Sequence, residues 1–439
     1  MKLPRGLLAA YAAPCLPIAA AGLPIVVYLP PYYAGTLGLS LASVGLIFLL
    51  ARCIDIPLDP VIGHLIDRTN SRCGRFRPWL AGGTLLFMAG CYAIFMARPG
   101  IGFAGALAAM LLFYLGYSVI YLSHTAWGAT LSDDYHERSR VFAWWQVANM
   151  IGILLVLVLP ALVLRMTPGS GAAGGIHAMG WAIIAALPVA AAIILLRVPE
   201  RAALGKPRHS LSDIGRVLRL PLLRKLLVID LLSNLAPGIS GALFLFFFEA
   251  ARGYPPAQAS LLLLVYFVAG LACAPFWLWL ARRASKHRTA AWAMLYYAVT
   301  QAAIIVLPAH DFWLAAVGMM LAGVPFTAPP FLVRAILADV SDAETLRSGE
   351  EKTALLYAVF TATTKLGYAI PVGLAYPVLG WIGFRAAAGA ANSPDAILGL
   401  TLLFTVVPAG IALATAWLTW RWPHDAGAHA RVAAALAAR

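Results

Sequence analysis

The 439 residues are 62% hydrophobic and 11% charged, with a mean hydropathy of +0.83 and a formal net charge of +14. A soluble domain carries about a quarter charged residues, so this composition excludes a water-covered surface and requires lipid as the solvent. It also excludes a nucleic-acid footprint, because the basic residues stand in short loops between apolar runs.

In chain order, Lys2 and Arg5 precede an apolar run over 7–33. That run is longer than the roughly 7–15-residue core of a cleaved signal peptide. It reads as a retained first span, with Cys15 inside it and not at a lipoprotein cleavage site. Further runs lie near 40–65, 79–97, 102–131, 142–165, 177–197, 225–250, 257–280, 290–308, 312–338, 353–383 and 397–420. Each is long enough to cross a bilayer, which takes about 20 residues. The expectation is an all-α membrane protein with twelve transmembrane helices. The five cysteines (Cys15, Cys53, Cys73, Cys91, Cys273) have neither metal-ligand nor disulfide-framework spacing.

Loop charge supplies an orientation. One set of loops holds Arg68, Arg72, Arg75 and Arg77; Arg138 and Arg140; Arg282, Arg283, Lys286 and Arg288; and Arg347 and Lys352. The alternate loops hold only Arg98, Arg165, Arg252 and Arg385. The positive-inside rule therefore places both termini in the cytoplasm. The longest loop is basic too, and divides the chain into a six-helix bundle at 1–198, a cytoplasmic central loop at 199–224, a second six-helix bundle at 225–421 and a cytoplasmic tail at 422–439. The loops DRTNSRCGRFR (67–77) and RRASKHR (282–288) occupy matching places in the two halves. Paired halves of this kind imply a midplane site exposed to each side in turn. Prolines within the spans fit helices that bend or break, although membrane helices also tolerate proline generally.

The second run carries the least expected residues, in RCIDIPLDPVIGHLIDRTNSRCGRFRP at 52–78. A charge at a helix centre costs about 2.5–3.5 kcal/mol on insertion scales. Asp55 and Asp59 are spaced i, i+4, so they share a helix face and repel one another. A sodium ion, a shared proton, or Arg52 one turn earlier can neutralise them. Of these, an exchangeable cation explains two acids better than a packing ion pair does, since its occupancy can bias a two-state protein.

The stretch ARCIDIPLDPVIGHLIDRTNSRCGRFRPWL closely resembles the second helix and following loop of the glycoside–pentoside–hexuronide:cation symporters, the melibiose permease-like family of the major facilitator superfamily. YYAGTLGLS (32–40), LSDDYHERSR (131–140) and LADVSDAETLRSGEEKTALLYAVFTATTKLG (337–367) support it, and the resemblance covers about 1–420. It implies the two-bundle major facilitator fold and cation binding by Asp55 and Asp59. It also implies a retained tryptophan platform at Trp127 and a retained lysine at Lys365. Other positions depart. Leu58 stands where the permease has a sodium-assisting asparagine, Ile120 matches a threonine ligand, and Ala19 and Ser123 match two sugar-gripping aspartates. Gln146 replaces an arginine. Fewer neutral oxygens favour a proton over sodium, and the missing acids favour a differently polar or amphiphilic solute, including a lysolipid-like one.

Remaining polar residues have two readings each. His124, a turn before Trp127, suits a substrate donor or proton relay, or a bond between helices. Tyr121 and Tyr117 suit a cavity lining or aromatic packing. Asp230 and Asn234 are spaced i, i+4 in the seventh run, with Asp230 expected near the inner interface; Glu249 comes late in that run. Trp144 and Trp145 suit interfacial anchors. Arg75, Arg77, Asp134, Glu137 and Arg138 suit a cytoplasmic gate that pairs when the inner side closes, with Asp339, Asp342 and Glu344 as counterparts in the second half. The chain shows neither H-E-x-x-H nor a phosphate-binding G-x-x-x-x-G-K-[ST], so an enzyme or a nucleotide-driven pump is not expected, nor any cofactor beyond the coupling cation, H+ or Na+. A passive channel is the alternative from another class. The expected setting is a bacterial inner membrane, as a monomer, with the bilayer and a small-molecule substrate as partners.

Overall fold

The computed structural model describes residues 3–69, 71–132, 135–166, 171–200, 215, 217–348, 353–387, 389–423, 431–432 and 435. Among these, twelve helices are long and apolar enough to cross a membrane. They are α1 (Arg5–Val27), α2 (Leu41–Ile66), α3 (Arg77–Phe95), α4 (Phe103–Gly128), α5 (Arg140–Pro160) and α6 (Ala173–Arg197) in the first half. In the second are α7 (Pro221–Ala251), α8 (Pro256–Ala284), α9 (Lys286–Val306), α10 (Phe312–Ser348), α11 (Leu355–Trp381) and α12 (Pro394–Trp420). The chain forms two compact units, one of Met1–Pro207 with Pro255–Leu261 and Val372–Asn392, the other of Arg208–Tyr254, Leu262–Pro371 and Ser393–Arg439.

Burial distinguishes the helices. The apolar windows of α1 and α7 are each 72% buried, whereas the other ten lie at 50% or less. A helix that is apolar all round belongs inside a bundle, so the opening helix of each half is its central element.

Proline decides where the spans break. The expected continuous run over 7–33 is a chain of short helices, Arg5–Ala12, Cys15–Gly22 and Pro24–Val27, closing in a π-helical turn at Tyr32–Thr36. Pro14, Pro24, Pro30 and Pro31 each lack the N–H that would continue the ladder. The run expected over 312–338 is likewise two helices, Phe312–Gly323 and Ala328–Ser348, parted by a turn at 324–327 that contains Pro325. Partners on α8 satisfy the break. Trp277 Nε1 donates to Val324 O at 2.8 Å, and Thr327 Oγ1 donates to Gly270 O at 3.0 Å.

Glycine sets the closest approach, between α3 and α4. A Cβ on Gly116 would stand 2.4 Å from Phe87 N, and one on Gly90 would stand 2.4 Å from Phe113 Cα. Backbones this close pack by van der Waals contact, which holds helices together where lipid removes the hydrophobic drive.

Candidate functional site

Helix α2 starts cleanly, with Ser40 Oγ accepting from Ser43 N at 3.1 Å. The helix then runs straight through Pro57 and Pro60. A proline inside a helix donates no hydrogen bond to the carbonyl four residues earlier. Cys53 O and Ile56 O are therefore released from the ladder, on either side of Asp55.

Asp55 is 1% exposed, and Asp59 is half-buried. Arg52 Nη1 donates to Asp55 Oδ2 at 2.9 Å. Its guanidinium also lies 4.0 Å from the centre of the Tyr114 ring on α4, a cation–π contact. One turn along α4, Ser118 Oγ donates to Asp55 Oδ1 at 2.8 Å. The site thus brings carboxylate and hydroxyl oxygens together. Hard monovalent or divalent cations prefer such oxygen sets.

The same face of α4 continues as an aromatic ladder. Tyr117 stacks on Tyr121 with centroids 5.6 Å apart and planes at 10°, and Tyr121 meets Trp145 of α5 edge-on at 6.2 Å. The cluster thus joins Arg52, Asp55, Ser118 and the tyrosines, with Asp59 a turn further along α2.

The other sequence candidates on α4 lie apart from it. Ser123 is fully buried and donates to its own helix carbonyls, Val119 O at 2.8 Å and Ile120 O at 3.1 Å. His124 is fully buried, bonded through Nε2 to Tyr11 O at 2.8 Å and stacked on the Tyr11 ring at 4.5 Å. Trp127 is fully buried, and its Nε1 donates to Pro199 O at 3.3 Å. In this conformation none of the three has an open face. Gln146 is exposed on α5, and Lys365 is half-buried on α11.

The described charges of the loops on either side of α3 and α4 form their own set of contacts. Glu137 holds Arg140 at 2.7 Å and accepts Leu3 N at 2.9 Å. Arg75 and Arg77 meet Glu200, which the sequence reading did not single out. Its carboxylate accepts Arg75 N, Phe76 N at 2.8 Å and Arg77 N at 3.4 Å, at the first turn of α3. A carboxylate there satisfies unpaired amides and the positive end of the helix dipole. Burial lowers the Arg75 guanidinium from its ordinary range, with Glu200 acting in the opposite direction. Asp134 and the Arg138 side chain lie outside the described residues. In the second unit, Lys286 at the start of α9 pairs with Asp339 at 2.6 Å.

Asp230 is 3% exposed and lies nine residues past Pro221 on α7, roughly 14 Å along the helix at 1.5 Å per residue.

The sequence profile described as MFS/sugar transport protein matches residues 10–426. The chain is 26% identical over 399 residues to "Uncharacterized symporter YnaJ" of Bacillus subtilis (strain 168), covering 87% of this chain and 83% of that protein. It is 24% identical over 390 residues to "Putative glycoside/cation symporter YagG" of Escherichia coli (strain K12), covering 86% and 83% respectively. Among solved structures, a mutant of the nucleoside transporter NupG superposes with a TM-score of 0.72 at 11% identity, over 95% of this chain and 100% of that one. At that identity the likeness speaks to the fold.

Proposed function

The chain belongs to the MFS/sugar transport protein family, and from that premise we propose that it is a cation-coupled symporter of a sugar or glycoside, working by alternating access. The observation that carries the reading is the Arg52–Asp55–Asp59 group in an apolar helix. The cation would be held by the two carboxylates, with the Ser118 hydroxyl supplying a neutral oxygen. That hydroxyl restores one of the neutral oxygens that Leu58 and Ile120 lack, and the coupling ion is the proton or sodium. Binding of the cation lowers the repulsion between the acids and so favours whichever state brings them together. The name carried by the Escherichia coli relative, a putative glycoside/cation symporter, agrees with this reading.

A second reading concerns the solute. Ala19 has no polar side chain and Ser123 spends its hydroxyl on its own helix, so neither grips a sugar as an acid would. That favours an amphiphilic solute, a glycoside with an apolar part or a lysolipid, over a small free sugar.

The test is uptake into vesicles containing the purified protein, across a panel of sugars, glycosides and lysolipids, under an imposed sodium or proton gradient. Accumulation driven by one of the gradients, and lost in Asp55→Asn and Asp59→Asn, is the expected result. Equal uptake by both variants under a gradient would remove the acids from coupling. Uptake that ignores either gradient in wild type would make the protein a passive channel.

A further inference from the structure

We propose that Asp230, in the second unit, is a separate ion-handling group and that the ion it takes is a proton. The contrast with Asp55 carries the argument. Asp55 is buried against a resident cation, Arg52. Asp230 is as deeply buried, yet both of its oxygens are met by neutral donors. Thr364 Oγ1 donates to Oδ2 at 2.7 Å, and Asn234 Nδ2 donates to Oδ1 at 3.1 Å. No lysine, arginine or histidine among the described residues lies within ion-pair distance of it. The surrounding helices carry charged and titratable groups, among them Arg334 on α10, Lys365 and Tyr368 on α11, Tyr266 on α8 and Tyr297 on α9, with Arg224, Lys225 and Glu249 on α7 itself. Arg334 acts on Asp230 only through space, and the buried polar side chains of α12 are threonines. A buried carboxylate without a counter-charge in contact is costly, and protonation removes that cost.

The hydrogen-bond geometry admits the proton without rearranging the backbone. Thr364 Oγ1 has a second acceptor, Phe360 O, at 3.2 Å. When Oδ2 gains a proton from water, its new O–H donates to Thr364 Oγ1, and the threonine hydrogen turns to Phe360 O. Every partner stays bonded, and only the direction of one bond reverses. Sodium fits less well, because an amide N–H and a hydroxyl O–H already point at the oxygens it would need.

A second observation places room for water beside Asn234, the amide partner of Asp230. Ser233, beside Asn234, is 7% exposed, and its hydroxyl has no hydrogen-bond partner among the described residues. Ser233, Asn234, Tyr266, Tyr297, Pro325 and Tyr368 line a cleft at the α10 break, with roughly 20 Å³ of free space, about one water.

The inference uses the secondary-transport reading for its consequence, but it is independent of the Asp55–Asp59 assignment, and the experiment keeps the two apart. Infrared difference spectra of the purified full chain between acid and alkaline buffer, in light and heavy water, report protonated carboxyl groups. Parallel potentiometry counts protons taken up. Wild type should show a titrating, deuterium-sensitive acid carbonyl band that Asp230→Asn loses, together with the uptake of one proton per chain. Asp55→Asn and Asp59→Asn should retain that band whatever they do to transport. Thr364→Val, which keeps the acid, should shift the band and its titration midpoint, and serves where Asp230→Asn fails to fold. An undiminished band in Asp230→Asn, or an unmoved one in Thr364→Val, overturns the proposal. So does a band removed by sodium at constant pH.

Discussion

Arg52 and Asp55 show at the scale of single residues why a buried ion pair is hard to take apart. Neutralising either partner alone strands the other in a nearly dry site, which costs about 3–5 kcal/mol. Arg52→Ala should therefore lower the stability of the purified protein by about that much, read by denaturant or thermal unfolding in detergent. Adding Asp55→Asn should recover most of the loss; additive losses would mean that the pair does not act as a pair. Ser118 permits a milder test. Ser118→Ala removes a hydrogen bond to a charged group, worth about 1.5–3 kcal/mol, while Ser118→Thr keeps the hydroxyl. Weakened cation dependence of uptake in the alanine variant, and near-normal dependence in the threonine variant, is the expected pattern. The acids were legible in the sequence because charge in an apolar run is expensive. Ser118 and Tyr114 were not, since serine and tyrosine are common in membrane helices and only the packing of α2 on α4 selects these two.

Between helices, glycine and the cap on α3 decide how closely elements approach. Gly116→Ala would push a methyl group into the Phe87 backbone, whereas the site of Gly410 on α12 has nothing within 4 Å. The first substitution should destabilise the protein and separate α3 from α4. The second should be neutral or stabilise by up to about 1 kcal/mol, because alanine is the better helix former. Comparison of the two unfolding midpoints checks this, and equal effects would show that the α3–α4 contact is not tight. At the head of α3, Gly74 has φ +108°, and a Cβ there would collide with the Glu200 carboxylate. Gly74→Ala and Glu200→Gln should both loosen the attachment of the segment after α6. Increased proteolysis after residue 197 in both variants is the expected sign, and unchanged digestion would speak against the attachment. The basic loop was visible as DRTNSRCGRFR; its acidic partner was not, because Glu200 lies more than 120 residues away in sequence.

Viewed whole, the molecule repeats itself. In each half the first helix is the most buried and ends in a π-helical turn, at Tyr32–Thr36 and Phe247–Ala251. Each half also sets a charged contact at the head of its third helix, Glu200 on the α3 amides and Asp339 on Lys286. Such repetition matches the two related halves expected of a transporter that moves between two states. Orientation in the bilayer is a prediction from loop charge. In a background keeping Cys73 as the sole cysteine, a membrane-impermeant thiol reagent should label that exposed residue only from the cytoplasmic side. An Arg385→Cys variant should label from the opposite side. The reverse pattern would invert the topology.

The sequence by itself determined the solvent, the number of spans, the family and the two acids on α2. Each follows from a local rule: apolar length against bilayer thickness, or the free-energy cost of charge in hydrocarbon. Tertiary structure alone decided what those acids touch and why Ser123, His124 and Trp127 are closed off. It also set Asp230 deep among neutral partners. Contacts between helices depend on rotation and register, which apolar sequences barely encode, since leucine, alanine and valine satisfy lipid and neighbour alike.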